Sequence, residues 1–296
     1  MTATTRRAAR APEEKPAEVI RRGLARTMTK TIATYGLIEP GDRVMVAVSG
    51  GKDSYTLLDL LDEARRRAPF EFSVIAVHLD QRQPGYDGAP LERWLAASGI
   101  DHEIVREDTY STVVERTPAG KAFCTVCSRL RRGILYTTAE RLGCNRIALG
   151  HHRDDALETL LMNLFYAGKL QAMPAGYTTD DGRFQVIRPL IECAEAEIAA
   201  HATHVGYPIL PCNLCGSQDG LRREAMAALL ADLERDNPNL RAVMLNALKN
   251  VAPSHLLDRR LQERLAAPRD DRAPTEAEPP AAARPPVRGR RLPVLG

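Results

Sequence analysis

Residues 44–61 read VMVAVSGGKDSYTLLDLL, and they determine the architecture that we expect for the whole chain. A β-branched run stops at Gly50 and Gly51, and leucines at helical spacing follow, which predicts a strand, a tight loop and a helix. Glycines let backbone N–H groups approach an anion, and the N-terminus of a helix attracts negative charge. We therefore predict a phosphate-binding loop made of Ser49, Gly50, Gly51, Lys52, Asp53 and Ser54.

The loop differs from the two commonest nucleotide-binding signatures. Neither the GxxxxGK[ST] spacing of a Walker loop nor GxGxxG occurs here, which argues against a kinase-type NTPase and a dinucleotide site. A plain Gly-Gly turn is the alternative, but such a turn does not need Lys-Asp-Ser at the start of a helix.

The six residues SGGKDS resemble the PP-loop of the ATP pyrophosphatase superfamily. In that family the loop holds the pyrophosphate part of ATP, and AMP is transferred to a carbonyl oxygen. The resemblance implies ATP as a ligand, Lys52 and Asp53 as catalytic residues, and a Rossmann-like fold.

Composition is consistent with one large α/β domain, since 296 residues with 44% hydrophobic content can bury a full core. No apolar run reaches the ~18 residues of a membrane span, and the N-terminus lacks an apolar signal segment. We expect a cytoplasmic protein without membrane contact. The formal charge of +3 does not by itself indicate a nucleic-acid partner.

The order of elements predicts a doubly wound, mostly parallel sheet. Strands expected at 72–79, 101–106, 145–149 and 186–190 alternate with helical segments, as in crossover-connected parallel sheets. Ligands in such sheets bind at the carboxyl ends of the strands. Residues 168–183 read as a polar loop that could close over a substrate.

Three regions follow from composition and periodicity. Residues 1–15 are expected to be a disordered leader, and residues 16–250 form the main domain with helical additions at both ends. Residues 251–296 are rich in Pro and Arg and are expected to be a largely disordered tail, for which a basic RNA-binding arm is the alternative.

A second strand-to-helix loop, GHHRDD at 150–155, should face the first loop across the sheet. Carboxylates there can hold Mg²⁺, which prefers oxygen ligands, although Asp residues at a helix start are also common N-caps. We expect Asp154 to take the capping or base-side role and Asp155 to bind the metal and act in catalysis. Gly150 and His151 are expected to contact the nucleotide.

Two CxxC pairs, Cys124/Cys127 and Cys212/Cys215, suggest a metal centre. Spacing alone favours a structural Cys₄ zinc site, while three of the thiolates could instead hold an iron–sulfur cluster, and a redox dithiol is a further alternative. Cys144 and Cys193 are expected to be simple core or surface thiols.

Four motifs together resemble tRNA 2-thiocytidine synthetases. They are CSRLRRG at 127–133, LGHHRDD at 149–155, FYAGK at 165–169 and PCNLCGSQ at 211–218. The likeness extends from about residue 19 to about residue 250.

This resemblance implies ATP- and Mg²⁺-dependent thiolation of cytidine 32 in the tRNA anticodon loop. It implies a 4Fe-4S cluster held by Cys124, Cys127 and Cys215, with one iron open to sulfide. It also implies tRNA and a cysteine desulfurase as partners and a homodimeric state. The residues expected to hold RNA phosphates, with solvated helix faces as the alternative reading, are Arg129, Arg131 and Arg132.

Two other functions fit parts of the sequence. A lysidine-type or amide-forming PP-loop ligase would use the same activating loop without a cluster. A zinc- or cluster-bearing RNA-binding module would bind ATP without catalysis.

Overall fold

The computed structural model describes residues 16–116, 124–210 and 218–266. Within these ranges the strands are β1 Arg43–Ala47, β2 Ser73–Asp80, β3 His102–Arg106, β4 Arg146–Ala148, β5 Gly176–Thr178 and β6 Gln185–Ile187. The helices are α1 Ala17–Tyr35, α2 Lys52–Arg67, α3 Ala89–Ser98, α4 Thr109–Arg116, α5 Cys124–Arg141, α6 Arg153–Met162, α7 Glu195–Val205, α8 Gln218–Asp236, α9 Leu240–Ala247 and α10 Arg259–Ala266. A π-helical turn spans Asn163–Ala167, and a 3₁₀ turn spans Pro253–His255.

The six strands form one sheet in the order β3-β2-β1-β4-β6-β5. All neighbours are parallel except β5 and β6, which pair antiparallel. The expected doubly wound, mostly parallel α/β architecture is therefore confirmed.

The central strands are buried on both faces because their side chains alternate between two apolar clusters. Val44 and Val46 join one cluster, which includes the leucines of α2, and Met45 joins the other with Ile147. Each fully buried aliphatic side chain contributes about 1.5–3 kcal/mol. This two-sided burial explains why β1 reads as a continuous apolar run.

The N-terminal helix α1 packs Leu24 and Met28 into the apolar cluster that contains Val44, Val46 and the leucines of α2. It ends at Gly36, whose φ of +57° is the left-handed conformation typical of a helix C-cap. On the C-terminal side, Leu157 and Leu161 of α6 pack against Met226 and Leu230 of α8. The predicted helical additions thus extend the core at both ends of the domain.

The chain changes direction between β1 and β4. From β1 it moves outward through β2 to β3, then returns to form β4 on the other side of β1. In open α/β sheets this change of direction leaves a crevice at the carboxyl ends of the two strands. The loops at 48–51 and 149–152 flank that crevice.

Some elements differ from the sequence prediction. The segment 168–183 is not entirely a polar loop, because β5 pairs with β6 in a hairpin that turns through Gly182, where φ is +71°. Three-residue strands are too short for a period of two to be recognised. Helix α4 is also absent from the sequence prediction.

The chain divides into two units, Met1–Lys249 and Asn250–Gly296. In the described part of the second unit, residues 259–266 form helix α10, although the composition of residues 251–296 predicts a largely disordered tail. The disorder predicted for residues 1–15 and 267–296 lies outside the described residues. Within the described ranges, every helix is too short or too polar to cross a membrane.

Candidate functional site

A cavity of about 440 Å³ lies at the carboxyl ends of β1, β2 and β4, in the crevice where the chain changes direction. The predicted site residues that line it are Ser49, Gly51, Asp53, Ser54, Arg131, Gly150, His151 and Asp155. The two loops singled out in the sequence therefore lie at one cavity.

Gly50 gives the first loop its shape. Its φ is +85°, and its carbonyl oxygen accepts the Leu210 N–H at 2.9 Å. A Cβ at position 50 would lie 2.9 Å from Leu210 Cδ1. Both the conformation and the close neighbour thus require glycine here.

Two serines fix the loop beneath the start of α2. Ser54 Oγ donates to the Gly51 carbonyl at 2.9 Å and accepts the Ser49 N–H at 3.1 Å. Gly51 is the N-cap residue of α2, and no side chain caps this helix end. Since the first N–H groups of a helix have no intrahelical partner, this end is suited to an anion.

The second loop approaches the first without room for a side chain. A Cβ at Gly150 would lie 3.1 Å from both the carbonyl carbon of Asp53 and the amide nitrogen of Ser54. Glycine at 150 therefore allows direct backbone packing between the loops that follow β1 and β4.

Lys52 is half-buried between two carboxylates. Its Nζ lies 2.9 Å from Glu195 Oε1 and 3.0 Å from Asp53 Oδ1. Burial opposes protonation, but the hydrogen bond from Lys52 to Glu195 and the attraction of Asp53 outweigh it and raise the pKa of Lys52. The lysine is therefore charged at neutral pH, and Glu195, on α7, is a site residue that local sequence does not reveal.

The start of α6 corrects one expectation about the paired aspartates. Asp155, not Asp154, forms a capping box with His152: Asp155 Oδ2 accepts the His152 N–H at 3.0 Å, and His152 Nδ1 accepts the Asp155 N–H at 3.4 Å. Asp154 is buried elsewhere, where it accepts the Glu195 N–H at 2.9 Å and pairs with Arg241 at 2.7 Å. Of the two roles predicted for Asp154, capping or a base-side contact, capping is therefore wrong.

The capping box orients His152 toward two carboxylates. Because Nδ1 accepts a hydrogen bond, the neutral ring carries its proton on Nε2. That nitrogen lies 3.7 Å from Asp53 Oδ1 and 3.5 Å from Asp155 Oδ2. Among the described residues, no group of three or more His, Cys, Asp or Glu side chains is arranged to hold a metal by itself.

His151 is a partly buried, neutral imidazole on the cavity wall. Burial, reinforced by the positive charge of Arg188, lowers the pKa of His151 to about 4. The Arg188 Nε–H donates to His151 Nδ1 at 3.3 Å. The ring proton is therefore on Nε2, and His151 acts as a hydrogen-bond donor at neutral pH.

Two further ionisable residues at this edge are not evident from the sequence. Arg223 of α8 lines the cavity and donates to Asp155 Oδ1 at 2.8 Å. It also lies 3.9 Å from Glu158, whose pKa is raised to about 7 by burial and by the negative charge of Asp155. Tertiary packing of α8 on α6 brings these groups together.

Tyr86 and His78 form another wall of the cavity. His78 Nδ1–H donates to the Val48 carbonyl at 2.8 Å, and the Tyr86 hydroxyl donates to His78 Nε2 at 2.6 Å. These bonds tie the connection after β2 to the end of β1. They also keep Gln81 and Gln83, which lie between them in the chain, beside the cavity.

Cys127 connects the cysteine motif to this cavity. Its Sγ lies 3.4 Å from Oε1 of the cavity-lining residue Gln81. The side chain of Cys124 and all of Cys212 and Cys215 lie outside the described part of the chain. Cys144 and Cys193 are buried, as expected for core thiols.

The three arginines after Cys127 are all exposed on α5. Arg131 lines the cavity, whereas Arg129 and Arg132 are exposed without lining it. Arg131 is therefore the member of this set closest to the candidate chemistry.

A glycine loop at the crevice of a parallel sheet, facing a second strand-to-helix loop, defines a PP-loop α/β protein. The PP-loop domain model matches residues 20–208. A protein of Sorangium cellulosum named tRNA-cytidine(32) 2-sulfurtransferase is 55% identical over 246 residues, covering 83% of this chain and 87% of the relative. One of the same name from Cytophaga hutchinsonii is 51% identical over 252 residues, covering 85% and 87%. The chain belongs to the tRNA-cytidine(32) 2-sulfurtransferase family, which confirms the resemblance seen in its motifs.

Among solved structures, the fold is similar to the U34-tRNA thiolase NcsA of Methanococcus maripaludis, a structure that contains a [4Fe-4S] cluster. The TM-score is 0.62 at 22% identity, over 80% of this chain and 81% of the other. This similarity establishes the shared fold.

Proposed function

We propose that this protein uses ATP to replace the C2 oxygen of cytidine 32 in the tRNA anticodon loop with sulfur. The observation that carries the proposal is the contact between Cys127 and Gln81, which puts a thiol of the cysteine motif beside the cavity of the glycine loop. Family membership gives the reaction class that this juxtaposition fits.

The reaction needs two substitutions. The C2 oxygen of cytosine first attacks the α-phosphorus of ATP, and the bond to pyrophosphate breaks. A sulfide then attacks C2, and AMP leaves with the former C2 oxygen, so no net oxidation or reduction occurs. Adenylation is needed because an oxide is a very poor leaving group.

The loop of Ser49, Gly50, Gly51, Lys52, Asp53 and Ser54 is the proposed pyrophosphate site. The uncapped start of α2 offers N–H donors to phosphate oxygens, and Lys52 is charged. Such preorganised charges stabilise the negative charge that develops on departing pyrophosphate. Gly150 and the Nε2–H of His151 complete the proposed nucleotide contacts.

Asp155 is the proposed Mg²⁺ ligand. Mg²⁺ sites commonly use one or two carboxylates together with substrate phosphates, so a complete protein cage is not required. Asp53 and Asp155 both lie within 4 Å of His152 Nε2, which makes them a suitable pair. Asp155 is paired with Arg223 as well, and a cation would compete with that guanidinium.

Cys124, Cys127 and Cys215 are the proposed ligands of a 4Fe-4S cluster. Thiolates suit such a cluster, and the Cys127 thiol is half-buried at the first turn of α5, beside the cavity. When bound, the cluster would supply an open iron that keeps sulfide deprotonated near the activated base. Gln81 contacts the Cys127 thiol and lines the cavity that also contains the nucleotide loop.

The remaining partners belong to the same proposal. An unpaired anticodon-loop base can leave its stack and enter a cavity, which a paired base cannot do without additional cost. Arg129, Arg131 and Arg132 are proposed to hold its phosphates. A cysteine desulfurase as sulfur source, a homodimer and a cytoplasmic location are also proposed.

The test uses anaerobically purified protein with tRNA, ATP, Mg²⁺ and sulfide. We expect tRNA-dependent release of pyrophosphate and 2-thiocytidine at position 32 by mass spectrometry of RNA digests. Pyrophosphate release without thiolation, from fully iron-loaded protein, would contradict the proposal. So would a protein that contains zinc instead of iron and still thiolates tRNA.

A further inference from the structure

The π-helical turn after α6 exposes a group of large apolar side chains, which we call the aromatic patch: Leu164, Phe165, Tyr166 and Leu170. Phe165 is 55% exposed, Tyr166 54% and Leu170 64%, although α6 itself is largely buried. Single exposed apolar residues are ordinary, but a contiguous group indicates a binding surface.

Cations accompany the aromatic patch. The Arg222 guanidinium carbon lies 5.0 Å from the centroid of the Tyr166 ring, within the range of a cation–π contact. Lys169 is exposed between Tyr166 and Leu170 in the sequence. A surface that combines aromatic rings with cations is complementary to unpaired nucleotides, whose bases stack while their phosphates carry negative charge.

The aromatic patch is preformed. Asn163 Nδ2 donates to the Gln171 carbonyl at 2.8 Å, and the Lys169 N–H donates to the Asn163 carbonyl at 3.0 Å. These bonds close the chain around the turn. A bound nucleotide would therefore not have to order this segment first.

Helix α8 links the aromatic patch to the candidate active site. Arg222 contacts Tyr166, while the next residue, Arg223, lines the cavity and donates to Asp155. Their Cα atoms are only ~3.8 Å apart, as consecutive residues must be. Helix α8 thus touches the aromatic patch with one arginine and the cavity with the other.

We propose that the aromatic patch and Arg222 form a stacking platform for the unpaired tRNA nucleotides that flank the target cytidine. The inference rests on the proposed function and adds the surface that presents the base to the cavity. A strand that stacks on Tyr166 beside Arg222 would contact the helix whose next residue, Arg223, lines the cavity. The partner is single-stranded RNA, since a paired stem buries the faces of its bases.

Direct binding of an anticodon stem-loop RNA, measured by fluorescence anisotropy without ATP, tests this inference. Phe165→Ala, Tyr166→Ala and Arg222→Ala should each raise the Kd by about 5- to 100-fold, the effect of losing one base-stacking contact. Tyr166→Phe keeps the ring and should bind like the wild type. A fully paired duplex of the same length offers no unpaired base, so it should bind Phe165→Ala and Tyr166→Ala with the wild-type Kd.

Matched controls separate the possible outcomes. Val243→Ala removes another exposed apolar side chain, 56% exposed on α9, and should leave the RNA Kd unchanged. Unchanged binding in the three alanine variants would overturn the platform alone. Wild-type protein that binds no anticodon RNA would overturn the proposed function as well. A loss of dimer by light scattering in Phe165→Ala, with RNA affinity intact, would assign the aromatic patch to a second copy of the chain instead.

Discussion

Lys52 and Glu195, the first residues of helices α2 and α7, form an ion pair with 2.9 Å between Nζ and Oε1. A lysine at a helix N-terminus is opposed by the helix dipole, and the carboxylates of Glu195 and Asp53 offset this cost. The pair therefore keeps a positive charge beside the glycine loop before any phosphate binds.

Lys52→Ala should lower ATP-dependent AMP formation by at least ~100-fold, as expected when one preorganised group that stabilises transition-state charge is lost. Glu195→Gln keeps the lysine charge and should retain most of the activity. Both can be measured as tRNA-dependent release of labelled AMP. If Lys52→Ala formed AMP at the wild-type rate, this lysine would have no part in the mechanism.

Gly150→Ala should destabilise the protein and weaken ATP binding, because the new methyl would lie 3.1 Å from backbone atoms of Asp53 and Ser54. Overpacking of this kind costs about 1–3 kcal/mol. Gly133→Ala, in α5 with no heavy atom within 4 Å of the new Cβ, should instead be neutral or stabilise by up to ~1 kcal/mol. Urea unfolding and ATP titration compare the two. If Gly150→Ala and Gly133→Ala changed the free energy of unfolding and the ATP affinity equally, the contact between the two loops would not be tight.

The sequence predicts the two loops of the site because each is a local pattern between a strand and a helix. Glu195 and Arg223 could not be predicted in this way, because packing of α7 on α2 brings Glu195 to Lys52, and packing of α8 on α6 brings Arg223 to Asp155. The roles of Asp154 and Asp155 depend on side-chain direction at one helix start. Both residues are aspartates, which suit a helix start at either position, so spacing alone cannot assign the role.

His151 should make the protein less stable as the pH falls from about 6.5 to about 4. Burial lowers the pKa of His151 to about 4, whereas an unfolded histidine titrates near ~6.5. In this window the unfolded chain binds a proton that the folded chain does not, so the free energy of unfolding decreases. His151→Asn should lose less stability than the wild type between these pH values in denaturant titrations. If the stability of the two proteins changed in parallel over this pH range, the imidazole of His151 would not stay neutral in the folded protein.

Glu158 should have the opposite effect. Burial, followed by the charge of Asp155, raises the pKa of Glu158 to about 7, so the folded carboxyl holds a proton more tightly than the unfolded one. The stabilisation that Glu158 contributes is therefore fully present below pH ~4.3 and is lost as the pH rises toward 7. As the pH rises from ~4.3 to 7, the free energy of unfolding of Glu158→Gln should therefore increase relative to that of the wild type. Above pH 7 the difference between the two proteins should stay constant. A difference that does not change with pH would show that Glu158 is already ionised in the folded protein.

Cys127→Ala should lower the iron content and visible absorption of anaerobically purified protein, whereas Cys193→Ala should not. Burial raises the pKa of the Cys193 thiol to about 12, and a protonated thiol is a poor metal ligand. Cys127 is only half-buried and lies beside the cavity. Iron and sulfide analysis, with circular dichroism to verify folding, distinguishes the two variants. Full iron content in folded Cys127→Ala would exclude Cys127 as a ligand, and iron loss in folded Cys193→Ala would place the metal centre elsewhere.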